Sequence, residues 1–249
     1  MSRVTRTNKC PKRAFLDLFA GPGKCIIRGL AKVIPGSTLL ALEQDTPFSL
    51  IVSVDINSDA ISALKERAGE YKSPTNLKTF VGDCNSLVTQ IRNELDPSYL
   101  TLAFIDPTSM QMKFSTIRAL TEGLRMDLII NYPLHAINRA YKDALKGNGG
   151  TFNEFFGTSD WERTVLGLKN AHNVATKLLP LYKQQLRQIG YKHIADLSIY
   201  TSFKSDEVLV KGPRNIPLYY LFLCSKNPLG NRLWQEIKKI GPHNQGQLF

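Results

Sequence analysis

Short apolar runs, each closed by a glycine, an acid or an amide, recur along the first half of this chain with polar, helix-length stretches between them. Residues 14–19 (AFLDLF) are the first run and lead into the turn Gly21-Pro22-Gly23. Residues 49–55 (SLIVSVD) are the second and end on Asp55. Residues 77–81 are followed by Gly82-Asp83, residues 100–105 (LTLAFI) by Asp106-Pro107, and residues 126–130 (MDLII) by Asn131-Tyr132-Pro133. Runs this apolar predict strands buried on both faces, as in a parallel sheet. Residues 58–71 predict a helix, because Ile61, Leu64 and Ala68 share a face. Asn57 or Ser58 can cap it, and Asp59 suits its first turn. Residues 115–124 predict another helix, with Ile117, Leu120 and Leu124 in register.

Strands alternating with helices imply right-handed crossovers. The expected fold is α/β: a doubly wound, mostly parallel seven-stranded sheet. Residues 134–190 are mainly helical by pattern, with Gly190 as a C-cap and Pro180 expected to bend or break the last helix. Residues 194–202 and 218–225 read as two strands with no helix-length pattern between them, so they should pair antiparallel and form the C-terminal edge. The division is a basic N-terminal arm, 1–13, and a single domain, 14–249.

Composition narrows the function classes. Of 249 residues, 43% are hydrophobic and 21% charged, a globular balance. No apolar run nears the ~20 residues that span a bilayer. The basic N-terminus has no apolar core behind it, so it does not read as a secretory signal. Cys10, Cys25, Cys84 and Cys224 lie far apart with no CxxC pair, against both a zinc site and a disulfide framework. Free thiols in a cytoplasmic protein without a metal are the expectation. The histidines, His135, His172, His193 and His243, lack ligand spacing. The net charge is +11, and residues 1–13 hold Arg3, Arg6, Lys9, Lys12 and Arg13 with no acid. Such an excess points to a polyanionic partner, nucleic acid first.

In an open parallel sheet, ligands bind beyond the carboxyl ends of the strands. Asp55, Asp83, Asp106 and Asn131 all fall at such ends, and the first strand carries the glycine turn there. Gly21 and Gly23 allow close approach of the backbone to a ligand, with Phe19 beside them, but the turn lacks the third glycine of a dinucleotide fingerprint. Asp17 can accept hydrogen bonds from a cationic amino group, which S-adenosylmethionine has and a dinucleotide lacks; the alternative is a buried, satisfied acid. Asp55 suits ribose hydroxyls, with Ile56 next to it, and Asp83 an adenine amino group, with Cys84 next to it. Asp106-Pro107 ends the fourth strand, where a transferable methyl group would project.

The segment Phe15-Leu-Asp-Leu-Phe-Ala-Gly-Pro-Gly23 resembles the first motif of S-adenosylmethionine-dependent methyltransferases. As a whole, from about residue 14 to 238, the chain resembles the three-Cys-motif partner proteins. The resemblance rests on that segment, Gly36–Leu39, Asp55, Asp106-Pro107, Asn131-Tyr132-Pro133, Phe155-Phe156-Gly157 with Trp161, and the stretch Tyr219–Lys226. It implies a class I methyltransferase-like Rossmann fold, S-adenosylmethionine as cofactor, and a neighbour with a three-cysteine motif of radical-enzyme type as partner. The chain departs from the family after Asp106-Pro107, where Thr108-Ser109 stands in place of Phe-Gly. Amino-methylating DNA enzymes carry an aromatic there, which stacks on the flipped base; Tyr132, after Asn131, is the expected substitute. No Pro-Cys pair exists, which rejects cytosine C5 chemistry.

Three functions follow. The first is a methyltransferase acting on a nitrogen or oxygen of a nucleic acid, with Asp106 orienting or deprotonating the acceptor beside Pro107, and Asn131 and Tyr132 shaping the pocket. The second is a catalytically inactive nucleic-acid- or protein-binding module of the same fold, working with a three-cysteine-motif partner. The third, a small-molecule methyltransferase, is disfavoured by the +11 charge.

Overall fold

The computed structural model describes residues 12–27, 32–168, 173–196, 208–211 and 217–228. Most of the basic arm, positions 197–202 of the predicted strand, Cys10, His172 and His243 lie outside the described residues. In chain order the strands are β1 (Arg13–Asp17), β2 (Lys24–Ile27), β3 (Lys32–Pro35), β4 (Leu50–Asp55), β5 (Asn76–Val81), β6 (Leu100–Ile105), β7 (Met126–Tyr132), β8 (His193–Asp196), β9 (Val208–Lys211) and β10 (Pro217–Ser225). The helices are α1 (Ser37–Leu42), α2 (Ser58–Ala68), α3 (Val88–Asn93), α4 (Phe114–Thr121), α5 (Leu134–Asp143), α6 (Gly150–Phe156), α7 (Asp160–Leu166) and α8 (Val174–Gln188), with a π-helical turn at Ala144–Asn148.

The main sheet runs β5-β4-β1-β6-β7-β10-β8, with β9 paired to β10 off that path. The first five strands of the path are parallel. β10 is antiparallel to β7, β8 and β9. This is the expected doubly wound, mostly parallel sheet of seven strands with an antiparallel C-terminal edge, and β9 adds an eighth strand. The chain moves outward from β1 to β5, then returns to start β6 on the other side of β1. That reversal opens a crevice at the carboxyl ends of β1 and β6.

Strand alternation splits the core between the two faces. Phe15 and Ile51 join Leu39 of α1 and Ile61 and Leu64 of α2 in the smaller core. Ala14, Leu16, Val52 and Val54 join Ile91, Ile117, Ile137, Phe155, Trp161 and Leu178 in the larger one. The family-like Phe155-Phe156-Gly157…Trp161 segment belongs to this packing. Both phenylalanines and the tryptophan are buried. Gly157, at φ +69, lies so close to Phe114 that a Cβ would sit 2.7 Å from its ring.

Self-contained local signals match the structure. Asn57 caps α2 by accepting from the backbone N–H groups of Asp59 (2.8 Å) and Ala60 (3.1 Å). The helix stops at Ala68, short of the expected 71. Three expectations need correction. β1 ends at Asp17, so the carboxylate terminates the strand instead of lying inside it. β7 runs on to Tyr132, so Asn131 lies inside the strand and not after it; the glycine turn feeds the β2–β3 hairpin, which the Gly36 N–H closes onto the Gly23 carbonyl at 2.6 Å. Pro180 neither ends nor divides α8, which is assigned as one helix over 174–188. Pro180 and Thr176, whose carbonyl loses its donor, are both on the exposed side, while Leu178, Leu179, Tyr182 and Leu186 anchor the buried one.

Candidate functional site

A cavity of about 630 Å³ opens at the carboxyl ends of β1, β4, β5 and β6, a size within the range usual for small-molecule sites. Of the predicted residues, Phe19, Gly21, Asp55, Ile56, Asp83, Cys84 and Asp106 line it. Asp17, Gly23, Pro107, Asn131 and Tyr132 do not.

On the β4 side, Asp55 shapes the site as well as facing it. Its Oδ2 accepts from the Gly21 N–H at 2.8 Å, and its Oδ1 from the Asn57 N–H at 2.8 Å. A carboxylate has about four lone-pair positions, so both oxygens keep capacity for a ligand. Gly21 holds φ +58 with no atom near where a Cβ would stand. Gly23, at φ +80, is instead packed on α2, where a Cβ would come within 2.7 Å of Leu64. Ile56 is 73% exposed at the cavity wall, an apolar side chain left open among the described residues. Asp83 Oδ1 accepts from the backbone (3.0 Å) and side-chain (2.8 Å) nitrogens of Asn85. Cys84 is buried, and burial pushes its thiol up to about 12, so it is protonated at neutral pH and no nucleophile.

Asp17, expected to meet an amino group, is fully buried behind the cavity. Its carboxylate accepts from Ser37 Oγ and Thr38 Oγ1 at the start of α1 and, more weakly, from the Phe19 N–H at 3.4 Å. Thr38 also bonds Ser53 of β4 at 2.8 Å. Burial raises the Asp17 carboxyl to about 6 against the pull of these hydrogen bonds. It is a buried acid satisfied by side-chain hydroxyls, and it ties β1 to α1.

On the β6 side, Asp106 reaches the cavity while enough protein surrounds it for burial to raise its carboxyl above the ordinary value; the Asn131 hydrogen bond opposes that shift. Asn131 Nδ2 donates to Asp106 Oδ1 at 2.5 Å. Pro107 is buried just behind. Tyr132 is not the expected aromatic wall. It is fully buried, its hydroxyl donates to the Ala175 carbonyl at 2.9 Å, and its ring packs on Phe155, Phe156 and Tyr182. The reason is strand alternation: successive residues face opposite sides, so Asn131 and Tyr132 cannot share one.

Several residues at the cavity were missed. Asn85 organises the loop after β6: its Nδ2 donates to the Gln111 carbonyl (2.9 Å), and its Oδ1 accepts from the Lys113 N–H (3.0 Å) and Thr116 Oγ1 (2.9 Å). An Asn two positions after a strand-end Asp is a turn signal that could have marked it. Lys113 bridges to Glu154 of α6 at 2.7 Å across the rim, a pairing over 41 positions that nothing local announces. Thr108 and Ser109, the departure from the family pattern, line the cavity as small polar groups.

Charge at the site is one-sided. Asp55, Asp83 and Asp106 face the cavity, and the lining cation among the described residues, Lys113, is already paired with Glu154. Such a cavity favours a cationic ligand over a pyrophosphate.

No protein-family model and no curated protein sequence matches this chain. Solved structures of similar shape include Trm1 from Pyrococcus horikoshii with S-adenosyl-L-methionine, at 15% identity over 87% of this chain and 51% of that one, TM-score 0.45. They also include an O-methyltransferase from Bacillus cereus in complex with SAH, at 10% identity over 86% of this chain and 74% of that one, TM-score 0.46. A third is the methyltransferase domain of bacterial CtHen1, at 13% identity over 86% and 90%, TM-score 0.43. The chain spans about half the length of the Trm1 chain.

Proposed function

We propose that this chain is an S-adenosylmethionine-dependent methyltransferase whose acceptor is a nitrogen or oxygen of a nucleic acid. The observation that carries the reading is the cavity at the switch point, with three strand-end carboxylates and, among the described residues, its lining lysine paired. That environment suits a sulfonium and an ammonium better than the phosphates of a dinucleotide. The residues present fit the cofactor: Asp55 for hydroxyls, exposed Ile56 as an apolar surface for a flat ring, and Asp83 for an amino group. When bound, the cofactor supplies an electrophilic methyl group. Asp106 would hold the acceptor's N–H or O–H and take up its proton, a task its raised carboxyl pKa favours. The remaining requirement is alignment. The net charge of +11 supports a polyanionic substrate.

A non-catalytic module of the same fold is the second reading. The small polar pair Thr108-Ser109 and the burial of Tyr132 favour it, because the Asp106 loop then has no aromatic residue from either predicted source. The resemblance to three-Cys-motif partner proteins supports a protein partner in either case.

A labelled-methyl assay with total RNA and DNA as acceptors tests the proposal. Wild type should transfer label, and Asp106→Ala should lose transfer while binding the cofactor nearly as well, because its contribution falls on the chemical step. Tight cofactor binding by wild type without transfer to any acceptor selects the module instead.

A further inference from the structure

Helix α5 opens directly after β7, at the carboxyl edge of the sheet where the cavity lies. Its inner side is apolar: Leu134, Ile137 and Tyr141 are buried, and Ala144 continues them into the π-helical turn. The opposite side carries His135, Arg139, Lys142 and Lys146, all exposed. Residues three and four apart are neighbours on a helix surface, so these side chains form one stripe of about 16 Å. Like charges at that spacing repel, a cost that an anion lying over them removes. Lys146 reaches Asp143 at 3.7 Å, an exposed pair that holds it weakly. His135, Arg139 and Lys142 have no carboxylate partner among the described residues.

Helix α8 extends the charge. It packs on α5, and its Ala175 N–H donates to Asn138 Oδ1 at 2.9 Å, which sets the first turns of the two helices side by side. From Val174 to Gln188 it holds no acid, and its Lys177 and Arg187 are exposed. The layer over the smaller core differs. There Glu43, Asp59, Glu66 and Glu70 are exposed around Lys65 and Arg67 of α2. The basic excess of the chain is thus sorted onto the α5–α8 layer, while the cavity at the sheet's carboxyl edge is lined by carboxylates.

We infer that the α5–α8 face is the track for the sugar-phosphate backbone of a nucleic-acid strand, an inference that rests on the nucleic-acid reading and names the surface it uses. A phosphate backbone is the occupant that fits, because it offers repeated charges to a row of cations. A protein interface has an apolar centre and a membrane-surface helix buries an apolar side; the exposed side of α5 holds no apolar residue. The two charged regions divide the substrate between them. The basic face holds phosphates, and the carboxylate-lined cavity repels them and admits an uncharged base. His135 stands at the cavity end of the stripe, so a strand held along it passes the edge where the cavity opens.

The test compares two variants of the full chain that lose the same charge. One is Arg139→Gln with Lys142→Gln and Lys146→Gln. The other is Lys65→Gln with Lys72→Gln and Lys78→Gln, exposed lysines on and beside α2 and β5. Binding to a single-stranded RNA oligomer of mixed sequence is followed by fluorescence anisotropy across a salt series. Each lost phosphate contact flattens the plot of log affinity against log salt by about 0.7, so the α5 variant should lose about 2 from the wild-type slope. It should also bind at least about tenfold more weakly at physiological salt, with the α2–β5 variant within about twofold of wild type. Thermal melts certify folding; if the triple α5 variant melts early, Arg139→Gln and Lys142→Gln replace it singly, each flattening the slope by about 0.7. Equal loss in both triple variants means that net charge alone acts, and an unchanged slope in the folded α5 variant places the strand elsewhere; either overturns the inference and leaves the nucleic-acid reading standing. Phosphatidylserine vesicles bound in an α5-dependent way, with the oligomer indifferent to α5, would assign the face to lipid and overturn it too. A wild-type slope near zero overturns the nucleic-acid reading itself, and this inference with it.

Discussion

The two halves of the sheet's carboxyl edge use their polar groups differently. On the β1–β4–β5 side, every strand-end carboxylate bonds to this chain. Asp17 takes two hydroxyls of α1, Asp55 takes the N–H groups of Gly21 and Asn57, and Asp83 takes Asn85. On the β6–β7 side, Asp106 and Asn131 bond each other and leave a buried oxygen unmet. The first side is preorganised: its acids hold the glycine turn and the first helices in shape before any ligand arrives. The second leaves a buried acceptor unmet at a stability cost.

That contrast can be broken from its self-satisfied side. Removing Asp17 should have the largest effect on stability. Asp17→Ala strips Ser37 and Thr38 of their shared acceptor in the core and should cost about 2–4 kcal/mol, read as a lowered Tm. Its pH dependence sharpens the point. The folded carboxyl is raised to about 6 from 3.8, so its protonated form favours the folded chain. That contribution is complete below pH 3.8 and is lost as pH rises through about 6. The Tm of wild type relative to Asp17→Asn should therefore fall between about pH 4 and pH 7 and stay level above. A difference that does not move with pH would mean Asp17 titrates normally.

A smaller effect belongs to Tyr132. Tyr132→Phe deletes a buried hydrogen bond to Ala175 and should cost about 1 kcal/mol in a denaturant melt, with cofactor binding untouched. A change in cofactor affinity of the same size would return Tyr132 to the site.

Much of this architecture is legible in the sequence, for a physical reason. A strand buried on both faces must be apolar throughout and must stop at a polar or flexible residue, so the runs ending at Asp55, Gly82-Asp83, Asp106 and Asn131 mark both the sheet and its ligand edge. The Asn57 cap is equally local. What escaped depends on partners distant in sequence. Asp17 is sealed by hydroxyls 20 and 21 residues away. The β2–β3 hairpin has strands of four residues, and its paired Ile26 and Val33 are 70% and 55% exposed, so no buried alternation announces it. Tyr132 is the exception: alternation alone, applied to Asn131-Tyr132, predicts that one faces the site and the other the core.

The central claim is that the carboxylate-lined cavity takes a cationic nucleoside cofactor. Isothermal titration of the full chain with S-adenosylmethionine and, separately, with NADH tests it most directly, with Asp55→Ala beside wild type. S-adenosylmethionine should bind at one site and NADH should not. Asp55→Ala should weaken the first by about 1–3 kcal/mol, the cost of leaving polar partners unmet. NADH binding that competes with S-adenosylmethionine, or S-adenosylmethionine binding indifferent to Asp55→Ala, would contradict it.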